Sequence, residues 1–230
     1  MMTTKTFDGF SPKTLEFLRR LERNNDKNWF AAHRDDYLRD VAEPMWGIAA
    51  SLVPMIQELD PRVVSEPRRL VARIHRDTRF SKDKTPYWTH PWIGFRRNLK
   101  NWFQGPTYFF EIHKSGYSFG MNIFAPASIT MRRFREKIDD APEEFQELIA
   151  FLRRSRTFRL DTEKYKRRWP CAHSPEIDPW YQSRNIEVVC TRKPDALLYS
   201  RKLVSTLIDR FVQLKPLYDY LWSITVIPDP

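Results

Sequence analysis

The chain has 230 residues, 41% hydrophobic and 30% charged, which is long enough to bury a substantial core and too rich in aromatics for disorder, so one globular domain over residues 1–230 is expected. No run approaches the roughly 20 apolar residues that cross a bilayer, and the opening MMTTKTFDGF lacks the basic and apolar parts of a secretory signal, so the expected address is the cytoplasm with no membrane partner. The net charge of +10 is concentrated: residues 62–100 hold eleven Arg/Lys against three acids, and residues 153–168 hold eight against two.

Ser11 and Pro12 mark a helix start, with Leu15, Leu18 and Leu21 following at helical spacing. The stretch from Asp26 to about Arg39 carries Trp29, Phe30, Tyr37, Leu38 and Val41, and Pro44 is expected to separate it from a third helix bearing Ile48, Leu52, Met55, Ile56 and Leu59. The period then changes to two. Leu70, Ala72 and Ile74 alternate with Val71, Arg73 and His75, which predicts a strand with Arg73, His75 and Asp77 on its polar face and Arg76 on the other.

Tyr108, Phe110 and Ile112, then Lys114-Ser115-Gly116, then Tyr117, Phe119, Met121 and Ile123 predict a hairpin. Asp140 with Glu143 resembles a capping box for a helix buried through Phe145, Leu148, Ile149 and Leu152. Ile186, Val188 and Cys190 predict another strand. Leu203, Val204, Leu207, Ile208, Phe211 and Leu214 predict a final helix that Pro216 bends or ends. Helices around strands joined by a tight hairpin imply an α+β fold on a largely antiparallel sheet, packed by N-terminal, middle and C-terminal helices.

Several chemistries are excluded. Six glycines build neither GxGxxG nor a Walker loop, no GxSxG elbow occurs, and the five histidines, at 33, 75, 90, 113 and 173, never stand at ligand spacing. Cys171 and Cys190 form no CxxC pair. Neither a cofactor nor a metal is expected.

The informative stretch is RIHRDTRFSKDKTPYWTH, residues 73–90. Arg73, Arg76 and Arg79 recur at three-residue spacing, with Asp77 and Asp83 interleaved. A guanidinium presents a planar fork of donors matched to carboxylate or phosphate, so several together can make an oxyanion site without a glycine loop. The structural alternative is a salt-bridge lattice in which the two Asp residues brace a glycine-free loop. Phe80, Tyr87, Trp88 and Trp92 lie among the cations, a mixture that can also serve single-stranded nucleic acid.

The pattern Arg73-x-x-Arg76-Asp77-x-Arg79-Phe80, with Asp83-Lys84-x-x-Tyr87 after it, resembles the motif of a bacterial family, the domain of unknown function 2461. The segments FDGFSPKTLEFLRRLERNNDKNWFAAHRDDY, YFFEIHKSGYSFGMNIFAP and YKRRWP are similar to that family's N-terminal helices, hairpin and basic-proline element. The second hairpin strand, YSFGMNIF, carries fewer glycines than the family pattern. The resemblance implies a full-length unit with a signature site and brings no reaction with it.

Three functions follow as expectations. In the first, Arg73, Arg76, Arg79, Lys84 and Tyr87 bind a phosphate- or carboxylate-bearing small molecule, with Asp77 or His75 moving a proton if there is catalysis. In the second, the basic segments and rings bind single-stranded nucleic acid. In the third, the motif only braces a loop of a structural or partner-binding protein.

Overall fold

Pro12 has no N–H to lose in a first turn, and Leu15, Phe17, Leu18 and Leu21 supply one apolar stripe, so the first helix, α1, runs Pro12–Arg23 with that stripe buried. The computed structural model describes residues 7–227, and the expectation drawn from the opening MMTTKT lies outside them. Asp26 caps α2 (Lys27–Ala32), its carboxylate accepting from the N–H groups of Asn28 and Trp29 at 2.9 Å each.

The separation expected at Pro44 does not occur. Helix α3 (Arg34–Tyr37), a π-helical turn (Leu38–Ala42) and α4 (Glu43–Leu59) follow one another without a break. Pro44 falls in the first turn of α4, and the wider π turn ahead of it gives room to a ring that would otherwise press on the carbonyl four residues back.

The sheet is antiparallel, with β1 (Trp92–Phe95), β2 (Thr107–His113), β3 (Gly116–Ile123), β4 (Arg159–Leu160) and β5 (Ile186–Arg192) in the order β1-β2-β3-β5-β4. The expected hairpin is β2 and β3, and the strand at Ile186 is β5. The strand expected at residues 70–75 is not a regular one. Leu70 ends a short helix, α5 (Pro67–Leu70), and beyond it Val71 and His75 make isolated bridges to Ile93 and Tyr87. Pro86 and Pro91 in the facing segment have no N–H to donate, so a continuous ladder cannot form.

Two further helices, α6 (Ser128–Asp140) and α7 (Pro142–Ser155), meet at Ala141, and Pro142 opens α7 in place of the capping box expected at Asp140. After α8 (Asp178–Tyr181), the last helix, α9 (Lys202–Ile224), continues past Pro216. An interior proline costs about 3 kcal/mol, but Leu217, Tyr218 and Leu221 beyond it are fully buried, and each such burial returns about 1.5–3 kcal/mol. The fold is thus α+β. Among the described residues no helix is long and apolar enough to cross a membrane.

The described residues fall into two compact units. The first comprises those up to Phe95 with Phe109–Phe119 and Thr191–Asp209. Here Phe10 stacks on Phe110 at 5.7 Å, and the Tyr117 hydroxyl donates to Asp195 at 3.1 Å. The second unit comprises Arg96–Tyr108, Gly120–Cys190 and the residues from Arg210 onward. In its core Tyr108 stacks on Tyr218 at 4.4 Å and Phe145 packs against Phe134, Trp180 and Tyr220.

Gly120 keeps one of the close backbone approaches that a glycine-poor β3 can still make. A Cβ there would meet the Val188 carbonyl oxygen well inside contact distance. Gly120→Ala is therefore expected to destabilise the protein by about 1–3 kcal/mol or more, as an overpacked core does, read as a fall in the urea midpoint.

Candidate functional site

The motif loop is a doubled-back extended segment held at a few backbone points. Ala72 N–H donates to the Trp92 carbonyl at 2.9 Å, Arg76 N–H to Pro86 at 2.8 Å and Trp88 N–H to Ile74 at 2.8 Å. Extended backbone turns successive side chains to opposite sides, and the burial follows: Ile74 is buried and Arg76 mostly so, while Arg73, His75, Asp77 and Arg79 are exposed.

Arg76 is the inward member of the motif, with a side chain 13% exposed. Its Nη1 donates to Asp83 Oδ2 at 2.5 Å, to the Thr85 carbonyl at 3.1 Å and to the Thr85 hydroxyl, and the guanidinium lies over the Trp88 ring at 4.8 Å. Asp83 also accepts from Thr85 N–H at 3.0 Å. That backbone bond first, and Arg76 after it, hold the Asp83 carboxyl down to about 2.

Arg79 grips Asp77 with its fork, Nε to Oδ1 at 3.0 Å and Nη2 to Oδ2 at 2.7 Å, which holds that carboxyl down to about 2 as well. Lys84 Nζ donates to the carbonyls of Thr78 at 2.9 Å and Arg79 at 3.4 Å. A tip without glycine is therefore closed by side chains reaching its backbone.

The five expected ligand groups take different positions. Arg73 and Arg79 are on the exposed side, Arg76 and Lys84 are engaged within the loop, and Tyr87 is buried. The Tyr87 ring stacks on Phe30 at 4.1 Å, and its backbone is clasped by Asn25, which accepts from Tyr87 N–H at 3.1 Å and donates to its carbonyl at 2.9 Å. Burial pushes its phenol above the ordinary value. His75 is exposed, its ring 5.1 Å from that of Tyr87. A carboxyl held near 2 is a weak proton acceptor at neutral pH, so the geometry suits Asp77 to aligning Arg79. Phe80, between these charges, is 95% exposed with the Arg79 guanidinium 5.8 Å from its ring.

The second unit holds an arginine that the sequence reading passed over. Arg135 lies on the buried stripe of α6 with Met131, Phe134 and Ile138 and is only 6% exposed. Its donors meet three carbonyls: Nε to Tyr181 at 2.9 Å, Nη1 to Met131 at 2.7 Å and Nη2 to Ser183 at 3.0 Å. The rings of Tyr165, Trp169 and Tyr181 surround it at 5.1, 4.8 and 5.8 Å. The only signal in the sequence is a charge standing at a core position of MRRFREKI.

Among the described residues no group of three or more His, Cys, Asp or Glu side chains comes together to hold a metal ion. Compared with known proteins, the chain matches the model of a family described as "Conserved hypothetical protein (DUF2461)" over residues 13–220. No curated protein matches it.

Because the folded values of Asp77 and Asp83 lie below the ordinary aspartate value of about 3.9, their ion pairs contribute fully above about pH 4 and fade as the pH falls towards 2. Carboxyl-carbon NMR is expected to give both a midpoint near 2. In Arg76→Ala the Asp83 midpoint should rise and the Asp77 midpoint stay, with a melting temperature a few degrees lower; an unmoved Asp83 would contradict the lattice.

Proposed function

The chain belongs to the DUF2461 family, whose description names no reaction, and we propose from the motif loop that the protein binds single-stranded nucleic acid on that loop's outer face. The observation that carries the reading is Phe80, a ring 95% exposed amid Arg79, Lys82 and Lys84. Burying a side chain of that size is worth about 1.5–3 kcal/mol, which folding forgoes and a stacked base recovers. Arg73, Arg79 and Lys82, all exposed, supply the cations for the phosphates.

The inner contacts support the same division of labour. Arg76, Asp83, Thr85 and Lys84 hold the tip in shape, so less ordering is left for the ligand to impose. Asp77 fixes the direction of the Arg79 fork. A small molecule prefers a concave site that covers most of its surface. A side chain 95% exposed beside an arginine 77% exposed offers a face to a larger partner instead.

Fluorescence anisotropy with a short labelled oligonucleotide tests the reading. Neutralising three phosphates at about −0.7 each gives a log–log salt slope near −2. Phe80→Ala should weaken binding about thirtyfold, the middle of the range for a stacked base, and Arg79→Ala should flatten the slope by about 0.7. A flat salt response, or full affinity in Phe80→Ala, would overturn it. Binding of a small phosphate that is lost in Arg79→Ala would assign the loop to that ligand instead.

A further inference from the structure

The unit built around Arg135 carries a second basic feature, remote in sequence from the motif loop. A cavity of about 720 Å³ is lined by Lys164, Lys166, Arg167, Arg168 and Arg184, with the half-exposed Trp169 in its wall. Its volume lies in the range of small-ligand sites, about 300–1,000 Å³. Its lining contains no carboxylate. We propose that this cavity binds a free nucleoside polyphosphate, the phosphates on the cations and the base on the Trp169 indole.

The charges favour a polyanion. Arg168 is already paired with Asp178 at 2.7 Å and Arg184 with Glu163 at 3.4 Å. Lys164, Lys166 and Arg167 face one space without a carboxylate partner among the described residues, and like charges crowded into one segment repel until an anion meets them. A chain of phosphates brings several negative charges to such a group of cations, and side-chain donors can take it where no glycine loop exists.

The wall is built in advance. Gln182 clasps the backbone of Trp169 from both sides, its Oε1 accepting from Trp169 N–H at 2.9 Å and its Nε2 donating to the Trp169 carbonyl at 3.0 Å. Lys164 bridges to Ser183, and Arg135 lies behind the indole and the Tyr165 ring. Trp169 is 48% exposed, so a ring carried on a held backbone still has surface to offer. A ligand arriving there need not order the segment, and a half-open cleft of about 720 Å³ is of a size for one nucleotide unit.

Isothermal titration of the full chain with ATP, adenosine and inorganic tripolyphosphate tests this, with each variant first shown to be folded by near-UV circular dichroism. Wild type is expected to bind ATP, with Trp169→Ala weakening it about tenfold and leaving tripolyphosphate unchanged, as loss of stacking alone would do. Trp169→Phe should restore most of the ATP affinity. The double variant Lys166→Ala/Arg167→Ala should weaken ATP and tripolyphosphate alike. Arg79→Ala, in the motif loop, should change none of these, which separates this site from the nucleic-acid reading of that loop.

No heat with ATP at millimolar concentration overturns the proposal. So does a Trp169→Ala variant that binds ATP like wild type, which would leave only a polyanion patch. An oligonucleotide held through Trp169 in preference to ATP would overturn the assignment to a free nucleotide.

Discussion

A guanidinium turned away from water keeps its charge, so its donors must be met by acceptors brought to it, and both basic loops take their shape from that demand. Around Arg76 the acceptors are a carboxylate, a hydroxyl and a carbonyl drawn from residues 83 and 85. Around Arg135 they are three backbone carbonyls, two of them at residues 181 and 183. A lysine could not span the same acceptors, because its ammonium is a point charge while the guanidinium is a flat fork reaching in several directions. In each case the chain folds around the fork, and the remaining cations are left outside.

That outcome divides the positive charge into two roles. The inner arginines commit their donors to carbonyl, hydroxyl and carboxylate oxygens of the fold. Arg73 and Arg79 on one loop, and Lys164, Lys166 and Arg167 on the other, project into solvent, where they act on an approaching anion over about a Debye length, 8 Å at physiological salt. Counting charge along the chain does not separate these roles. The alternation of an extended backbone does, by turning Arg76 one way and its neighbours the other.

What was legible in the sequence follows the same line. Helix α1, the hairpin of β2 and β3, and β5 could be read because periodicity reports which side of an element is buried. The faces of residues 73–77 could be read for that reason too, but not their lack of a ladder, which depends on prolines in a segment that pairs with them only after folding. The separation expected at Pro44 failed because a π turn ahead of it makes room for the ring, and the helix runs on past Pro216 because the local cost is outweighed by apolar burial beyond it, a sum over tertiary contacts that no short window contains. Arg135 escaped notice because hydrophobic patterning discounts a charge, and its three carbonyl partners are set by the packing of other segments.

The clasp between Gln182 and Trp169 reads main-chain atoms only. Nothing in it touches the side chains at 166 and 167, whereas Arg168 is tied to it through Asp178, which pairs with Arg168 at 2.7 Å and accepts from Gln182 Nε2 at 3.0 Å. Substitutions at 166 and 167 can alter charge, reach and bulk while the support beneath them stays as it is. The open side can thus be recharged at 166 and 167 at little cost to folding, whereas a change at 168 reaches down into the support itself.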